Sequence, residues 1–227
     1  MTVMHDLNVN SSTQGGWGQV TALPEPTRRV VDEPGRAPVD LPRIARAVRE
    51  ILLAIGEDPD REGLLDTPDR VARAYRDLTA GLAQDPATHL GTVFQEGGDD
   101  LVVVRGIELH SLCEHHLLPF SGVAHVAYLP AGGRVVGLSK IARTVETFAR
   151  RPQVQERLTR QIADAMIAHL APRAVSVLIE SEHLCMKMRG VAKQGASMTT
   201  VAHRGVFATD VAQRAEVMSL LRARGER

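Results

Sequence analysis

The chain is poor in several things, and each shortage removes a class of function. Only two of its 227 residues are cysteine, which excludes a multi-disulfide scaffold and an all-thiolate zinc centre. Aromatic residues make up 3%, so the core must be aliphatic and base-stacking platforms for single-stranded nucleic acid are not expected. Neither sign of charge is in excess, with 27 basic against 27 acidic residues; no overall field draws the chain to nucleic acid or to a membrane surface. There is no run of eighteen apolar residues, so no membrane-spanning helix is expected. The first twenty residues carry no apolar h-region. Without an export signal a cytoplasmic, reducing setting is expected, and Cys113 and Cys185 read as free thiols rather than as a bridged pair.

What the chain does have is a patterned apolar fraction of 44%, ordinary for a soluble domain. Residues 1–38, with stretches such as "TALPEPTRRVVDEPGRAP", hold no sustained period and predict a flexible tail with Trp17 exposed in it. An N-terminal helical region is expected over 39–95. Leu41, Ile44, Ala45, Val48, Ile51, Leu52 and Ile55 recur at helical spacing up to Gly56. A second helix opens at "DTPDRVARAYRDL", with Thr67 as N-cap, Pro68 at the first helical position, and Val71, Tyr75 and Leu78 inward. Residues 81–100 read as loop.

Over 96–227 the pattern changes. Strands are expected at 101–109 and 121–130, a helix from Ser139, another from Pro152, strands at 174–184 and 197–207, and a short helix after Asp210. The order α-α, β-β-α-α-β-β, α gives an α+β fold with antiparallel hairpins and helices on one face. Four strands are too few to close a barrel alone, so their edges call for partner subunits.

Both cysteines stand beside histidines. In "SLCEHHLLPF" (111–120), Cys113 and His116 are three apart, a spacing at which a tight turn lets both reach one metal while His115 points elsewhere. Cys185, in "SEHLCMKMRG" (181–190), supplies a third ligand if the two segments meet. Three protein ligands with one open vertex is the arrangement of catalytic zinc. The spacing alone equally fits a small buried cysteine near a surface histidine, and His110 and His125 compete as ligands. Ser139, Lys140 and Arg143 open a helix, where backbone N–H groups favour an anion. Lys187 and Arg189 follow Cys185, and together these cations can hold several phosphates, although each alone reads as a solvated charge. Gln155 and Glu156 lie in the first turn of their helix, where Glu is also a common dipole partner.

Taken together, "LLDTPDRVARAY", "SLCEHHLLPFSGVAHVAYLP", "VVGLSKIARTVETFARRPQVQERLTRQI", "EHLCMKMRGV" and "SMTTVAHRGVF" resemble the GTP cyclohydrolase I family over roughly residues 40–210. The resemblance implies a tunnelling fold whose sheets join into a barrel across subunits of a homodecamer, with active sites at the interfaces. It implies conversion of GTP and water to 7,8-dihydroneopterin triphosphate and formate, the entry to folate and other pterins. Carried over, Cys113, His116 and Cys185 are the ligands of Zn2+, and zinc activates the water that attacks C8 of guanine. His115 is the acid–base group of ring opening, and His183 assists proton transfer. Glu156 accepts the guanine N–H groups, with Gln155 beside it in the same pocket. Ser139 contacts the ribose region. Lys140, Arg143 and Arg189 bind the triphosphate, and Arg70 and Arg73 reach it from a neighbouring subunit. Arg73 stands where some members have Lys, and the N-terminal tail has no counterpart. Two readings share these residues: a non-enzymatic zinc-stabilised binding module, and a paralogue feeding deazapurine or other secondary metabolism.

Overall fold

The computed structural model of the protein describes residues 38–96 and 98–223; Trp17 and nearly all of the expected tail lie outside them. In chain order the elements are α1 (Leu41–Ala54), α2 (Thr67–Leu78), a 3-10 turn (Ala80–Ala83), α3 (Ala87–Leu90) and β1 (Val93–Gln95). There follow β2 (Val102–Cys113), β3 (Leu118–Leu129), β4 (Arg134–Val136), α4 (Leu138–Ala149), β5 (Pro152–Gln153) and α5 (Gln155–Leu170). The chain ends with β6 (Ala174–His183), α6 (Leu184–Lys187), β7 (Met198–Gly205), α7 (Val206–Thr209) and α8 (Val211–Arg222).

The α1–α2 pair forms as its periodicity requires. The Asp40 carboxylate accepts the Arg43 N–H at 3.0 Å and caps α1, as an N-cap Asp does. Yet α1 buries no residue fully, and Ile51 and Ile55 of its apolar stripe are exposed. Thr67 is the first residue of α2 rather than its cap; Asp66 precedes it, with no capping side chain. Ala72 is the buried residue of α2, while Val71, Tyr75 and Leu78 are half-buried. The stretch expected as loop holds the 3-10 turn, α3 and β1. Each is four residues or fewer, too short for a period to show, and Leu90 is nonetheless fully buried.

The central sheet has the order β5-β2-β3-β6-β7, and β1 and β4 make a separate pair. Neighbours are antiparallel except β5, which joins β2 in parallel through Leu112↔Pro152 and Cys113↔Gln153 only. Pro152 therefore ends in a strand bridge, and α5 starts three residues later than expected, after Val154. Among the described residues the outer edge of β7 and most of that of β2 are unpaired.

Helices α4 and α5 cover one face of the sheet. Ile141, Val145, Phe148, Leu158, Ile162 and Met166 meet Leu109, Phe120, Ala124, Val126, Val175, Val177 and Ile179 in one buried cluster. Truncating such a leucine to alanine costs about 2–5 kcal/mol. The expectation of helices on one face needs correction, because α8 packs on the other. Val217 and Leu221 of α8 bury Ala127, Ala174, Leu178 and Phe207. No helix among the described residues is long and apolar enough to cross a membrane.

Register decides where the chemistry falls. Cys113 pairs with Leu118 across the β2–β3 hairpin, and Phe120 pairs with His183 between β3 and β6. The turn after β2 and the segment after β6 thus share one end of the sheet, although 72 residues separate Cys113 from Cys185.

Candidate active site

Cys113 closes β2 and is buried, and Cys185 lies half-buried in α6. Their sulfurs are 3.8 Å apart and both thiols are free. Two thiolates about 2.3 Å from one zinc at the tetrahedral angle stand about 3.8 Å apart, whereas a disulfide needs about 2.05 Å. The pair therefore fits a shared metal. Burial pushes the Cys185 thiol pKa up, and neighbouring Cys113 pushes it further the same way; a bound cation reverses that balance by stabilising the thiolate.

His183 completes a group: the ligand atoms of Cys113, His183 and Cys185 all lie within 4.8 Å of one another. Its ring stacks on Phe120, with centroids 4.4 Å apart and planes 11° from parallel. Burial lowers its pKa, and the Glu156 charge opposes that shift, so Glu156 is felt at this site. His115 sits in the exposed turn with Nδ1 3.9 Å from Cys113 Sγ, closer to the sulfur than its expected outward direction implies. His116, expected as the third ligand, lies outside the group. Arg189 donates to its Nε2 at 3.1 Å. Because a guanidinium only donates, the imidazole lone pair is turned to Arg189.

Gln155 was expected in the guanine pocket but is 1% exposed. Its Nε2 donates to the carbonyls of Ile179 and Met198 at 3.0 Å each and to Thr200 Oγ1 at 3.1 Å. That fixes the amide orientation, so Oε1 accepts from Ser181 Oγ at 2.6 Å and from His183 Nε2 at 2.9 Å. His183 consequently carries its proton on Nε2 and keeps its lone pair on Nδ1. Glu156, one residue on, is exposed.

Ser139, Lys140 and Arg143 lie in the first two turns of α4, whose N-cap Gly137 supplies no capping side chain; Ser139 and Arg143 are exposed. An uncapped helix N-terminus with two cations beside it attracts an anion. His89, at the end of α3, was missed by the sequence reading. Burial lowers its pKa and the charges of Arg143 and Lys140 lower it further, against Asp85, so it shares their field. Lys187 pairs with Glu182 at 2.6 Å, with little of its side chain exposed. Arg70 and Arg73 lie on exposed parts of α2, and Arg70 is held by Asp66, Thr67 and the Gly63 carbonyl. None of the hydrogen bonds described for Arg70 reaches the cysteine pair. Neither competing ligand joins the sulfurs. His110 lines a cavity of about 500 Å³, with Glu108, Glu180 and Glu182, on the opposite face of the sheet, and the buried Nδ1 of His125 has no hydrogen-bond partner.

The sequence pattern of the GTP cyclohydrolase I family matches residues 44–222. A Carboxydothermus hydrogenoformans protein named GTP cyclohydrolase 1 is 62% identical over 183 residues, covering 81% of this chain and 95% of its own length. Proteins of the same name from Mycobacterium ulcerans and Corynebacterium glutamicum are 62% and 59% identical. They cover 80% and 81% of this chain and 91% and 94% of their own lengths. With a match over most of its length and identities at this level, the chain belongs to the GTP cyclohydrolase I family.

Proposed function

We propose that the protein hydrolyses and rearranges GTP to 7,8-dihydroneopterin triphosphate and formate, the first step towards tetrahydrofolate and other pterins. The observation that carries this reading is the convergence of two free thiols and His183 at one end of the sheet, with Glu156 close enough to be felt there. It is supported by about 60% identity to proteins named for that activity.

Zn2+ is the metal that the donor set fits, with Cys113 and Cys185 as its sulfurs. We assign the imidazole ligand to His116, on the C-x-x-H spacing and the family pattern; with metal bound, its lone pair would leave Arg189 for the ion. His183 is the competing ligand, favoured by its place in the close group. Bound there, zinc supplies Lewis acidity that makes water nucleophilic near neutral pH.

The chain's own residues do the rest. Lys140, Arg143 and Arg189 hold the triphosphate at the N-terminus of α4, and Ser139 contacts the ribose. Arg70 and Arg73 extend that cluster from a neighbouring subunit. The Glu156 carboxylate accepts the guanine N–H groups and rejects adenine, which has no 2-amino group to offer. His115 delivers a proton to the imidazole-ring nitrogen as the ring opens. His183 moves a second proton through the lone pair on Nδ1, its other nitrogen being committed to Gln155. Gln155 acts through His183 as a positioning residue. Among the described residues, the unpaired outer edge of β7 and the largely unpaired edge of β2 support a homo-oligomer, and the family pattern supports a decamer with sites between subunits. Free thiols in the metal pair suit the reducing cytoplasm.

Zinc-loaded protein supplied with GTP should release formate together with a product that oxidises to a fluorescent pterin, and ATP should yield neither. Cys113→Ser should abolish turnover and zinc retention while leaving the assembly mass unchanged. Assembled, metal-loaded protein that releases no formate would reject the proposal. Unfolding of Cys113→Ser would favour the structural-zinc alternative.

A further inference from the structure

The turn carrying Cys113, His115 and His116 has little of its own to hold it. Glu114, His115, His116 and Leu117 are all exposed, and Leu117 takes a positive φ of 54°. Within the turn, the Cys113 carbonyl accepts from Leu117 N at 2.8 Å and from His116 N at 3.3 Å. Beyond the Arg189–His116 bond, its ties run to β5 and the start of α5. The Glu114 N–H donates to the Gln153 carbonyl at 2.9 Å, and the Glu114 carboxylate pairs with the Arg157 guanidinium. The same guanidinium donates to Gln153 Oε1 and to the Pro152 carbonyl, each at 3.0 Å. Gln153 is 1% exposed and is itself fixed by donating to the Phe148 carbonyl at 3.0 Å and to Gln161 at 2.8 Å.

We infer that Glu114 and Arg157 are positioning residues: their ion pair latches the Cys113–His116 turn to the first turn of α5 and so sets the metal pair in register with Glu156. The inference rests on the GTP ring-opening reading for its kinetic consequence. As a partly exposed ion pair the contact adds little stability. Its geometry is another matter. A planar guanidinium that meets acceptors on three residues, the Glu114 carboxylate, the Gln153 side-chain oxygen and the Pro152 carbonyl, leaves the turn little freedom, and a lysine ammonium cannot reproduce that fork. Arg157 directly follows Glu156, so the guanine acceptor and the cysteine turn share one anchor. Groups behind metal ligands typically change metal affinity or activity by about 10–100-fold when altered.

The test uses full-length, zinc-loaded protein carrying Glu114→Gln, Arg157→Lys or both. Zinc release to a coloured chelator, kcat and KM for GTP, assembly mass and urea midpoint are measured for each. The latch predicts zinc release at least about tenfold faster and kcat about 10–100-fold lower in each single variant. Assembly mass and the urea midpoint measured with zinc removed should be unchanged and KM altered by less than about threefold, and the double variant should be no worse than the worse single one. Zinc release equal to that of the unaltered protein in both single variants would overturn the inference, leaving a plain surface ion pair. Losses that multiply in the double variant would overturn it too. If the unaltered protein releases no formate, the reaction reading fails, and zinc release still decides the latch.

Discussion

Replacing Gln155 by leucine, a side chain of similar volume, separates a buried positioning role from a substrate contact. Five groups lose a partner: the carbonyls of Ile179 and Met198, the hydroxyls of Thr200 and Ser181, and His183 Nε2. Thr200 keeps Thr159 at 2.6 Å, and water can reach Met198 and His183, whose bonds are only part-buried. The bonds to the Ile179 carbonyl and from Ser181 are buried. At about 1–3 kcal/mol for each buried group left without a partner, Gln155→Leu should cost about 2–6 kcal/mol. That is a large share of the roughly 5–15 kcal/mol that keeps a domain folded. Urea unfolding followed by circular dichroism measures it, at fixed protein and zinc concentrations because self-association or a bound metal would shift the midpoint. Gln155→Glu keeps the oxygen that accepts from Ser181 and His183 but turns a second acceptor onto the Ile179 and Met198 carbonyls and brings a carboxyl into a buried site, so it should cost at least as much as the leucine. Gln155→Leu with stability within about 0.5 kcal/mol of the parent and a raised KM for GTP would refute the reasoning and return Gln155 to the substrate pocket.

Three further outcomes follow from the same geometry. Comparing His116→Ala with His183→Ala by metal analysis identifies the imidazole ligand: the assignment here expects zinc to be lost from the first and kept by the second, with turnover falling in both. Gly122→Ala should fail to give folded protein or lose about 3 kcal/mol or more, since a Cβ there stands 2.0 Å from the Glu180 carbonyl and 2.6 Å from Ser181 Cα; normal stability would show that the strands separate easily. Burial lowers the pKa of His125, with Glu180 opposing and Arg105 adding, and that of His203, with Arg214 and Arg204 adding. Both therefore bind protons more readily unfolded, and stability should fall as pH drops below about 6.5. Denaturation midpoints across pH 5–8 check this, and the double variant His125→Gln, His203→Gln should flatten the slope.

Elements long enough to repeat a period were legible before any coordinates. The stripe of α5, the β-branched runs of β2 and β6 and the pairing of each cysteine with nearby histidines all lie within a few turns or residues of chain. The short α3, β1 and β5 were not legible, because their positions come from long-range partners such as Leu112↔Pro152. The exposure of Ile51 and Ile55 was equally hidden: periodicity marks which face is apolar and not what covers it.

At the site the division is sharper. Sequence determined the donor types, two thiols and their histidines, and the α+β order, because side-chain chemistry and local periodicity are properties of neighbouring residues. Tertiary structure decided the rest. The strand register carried Cys185 to within 3.8 Å of Cys113 and stacked His183 on Phe120. Packing of α5 buried Gln155, which the family resemblance set beside Glu156 in the guanine pocket, and brought Arg157 onto Glu114. Such distances depend on how strands align over tens of residues, and no local pattern in the chain encodes them.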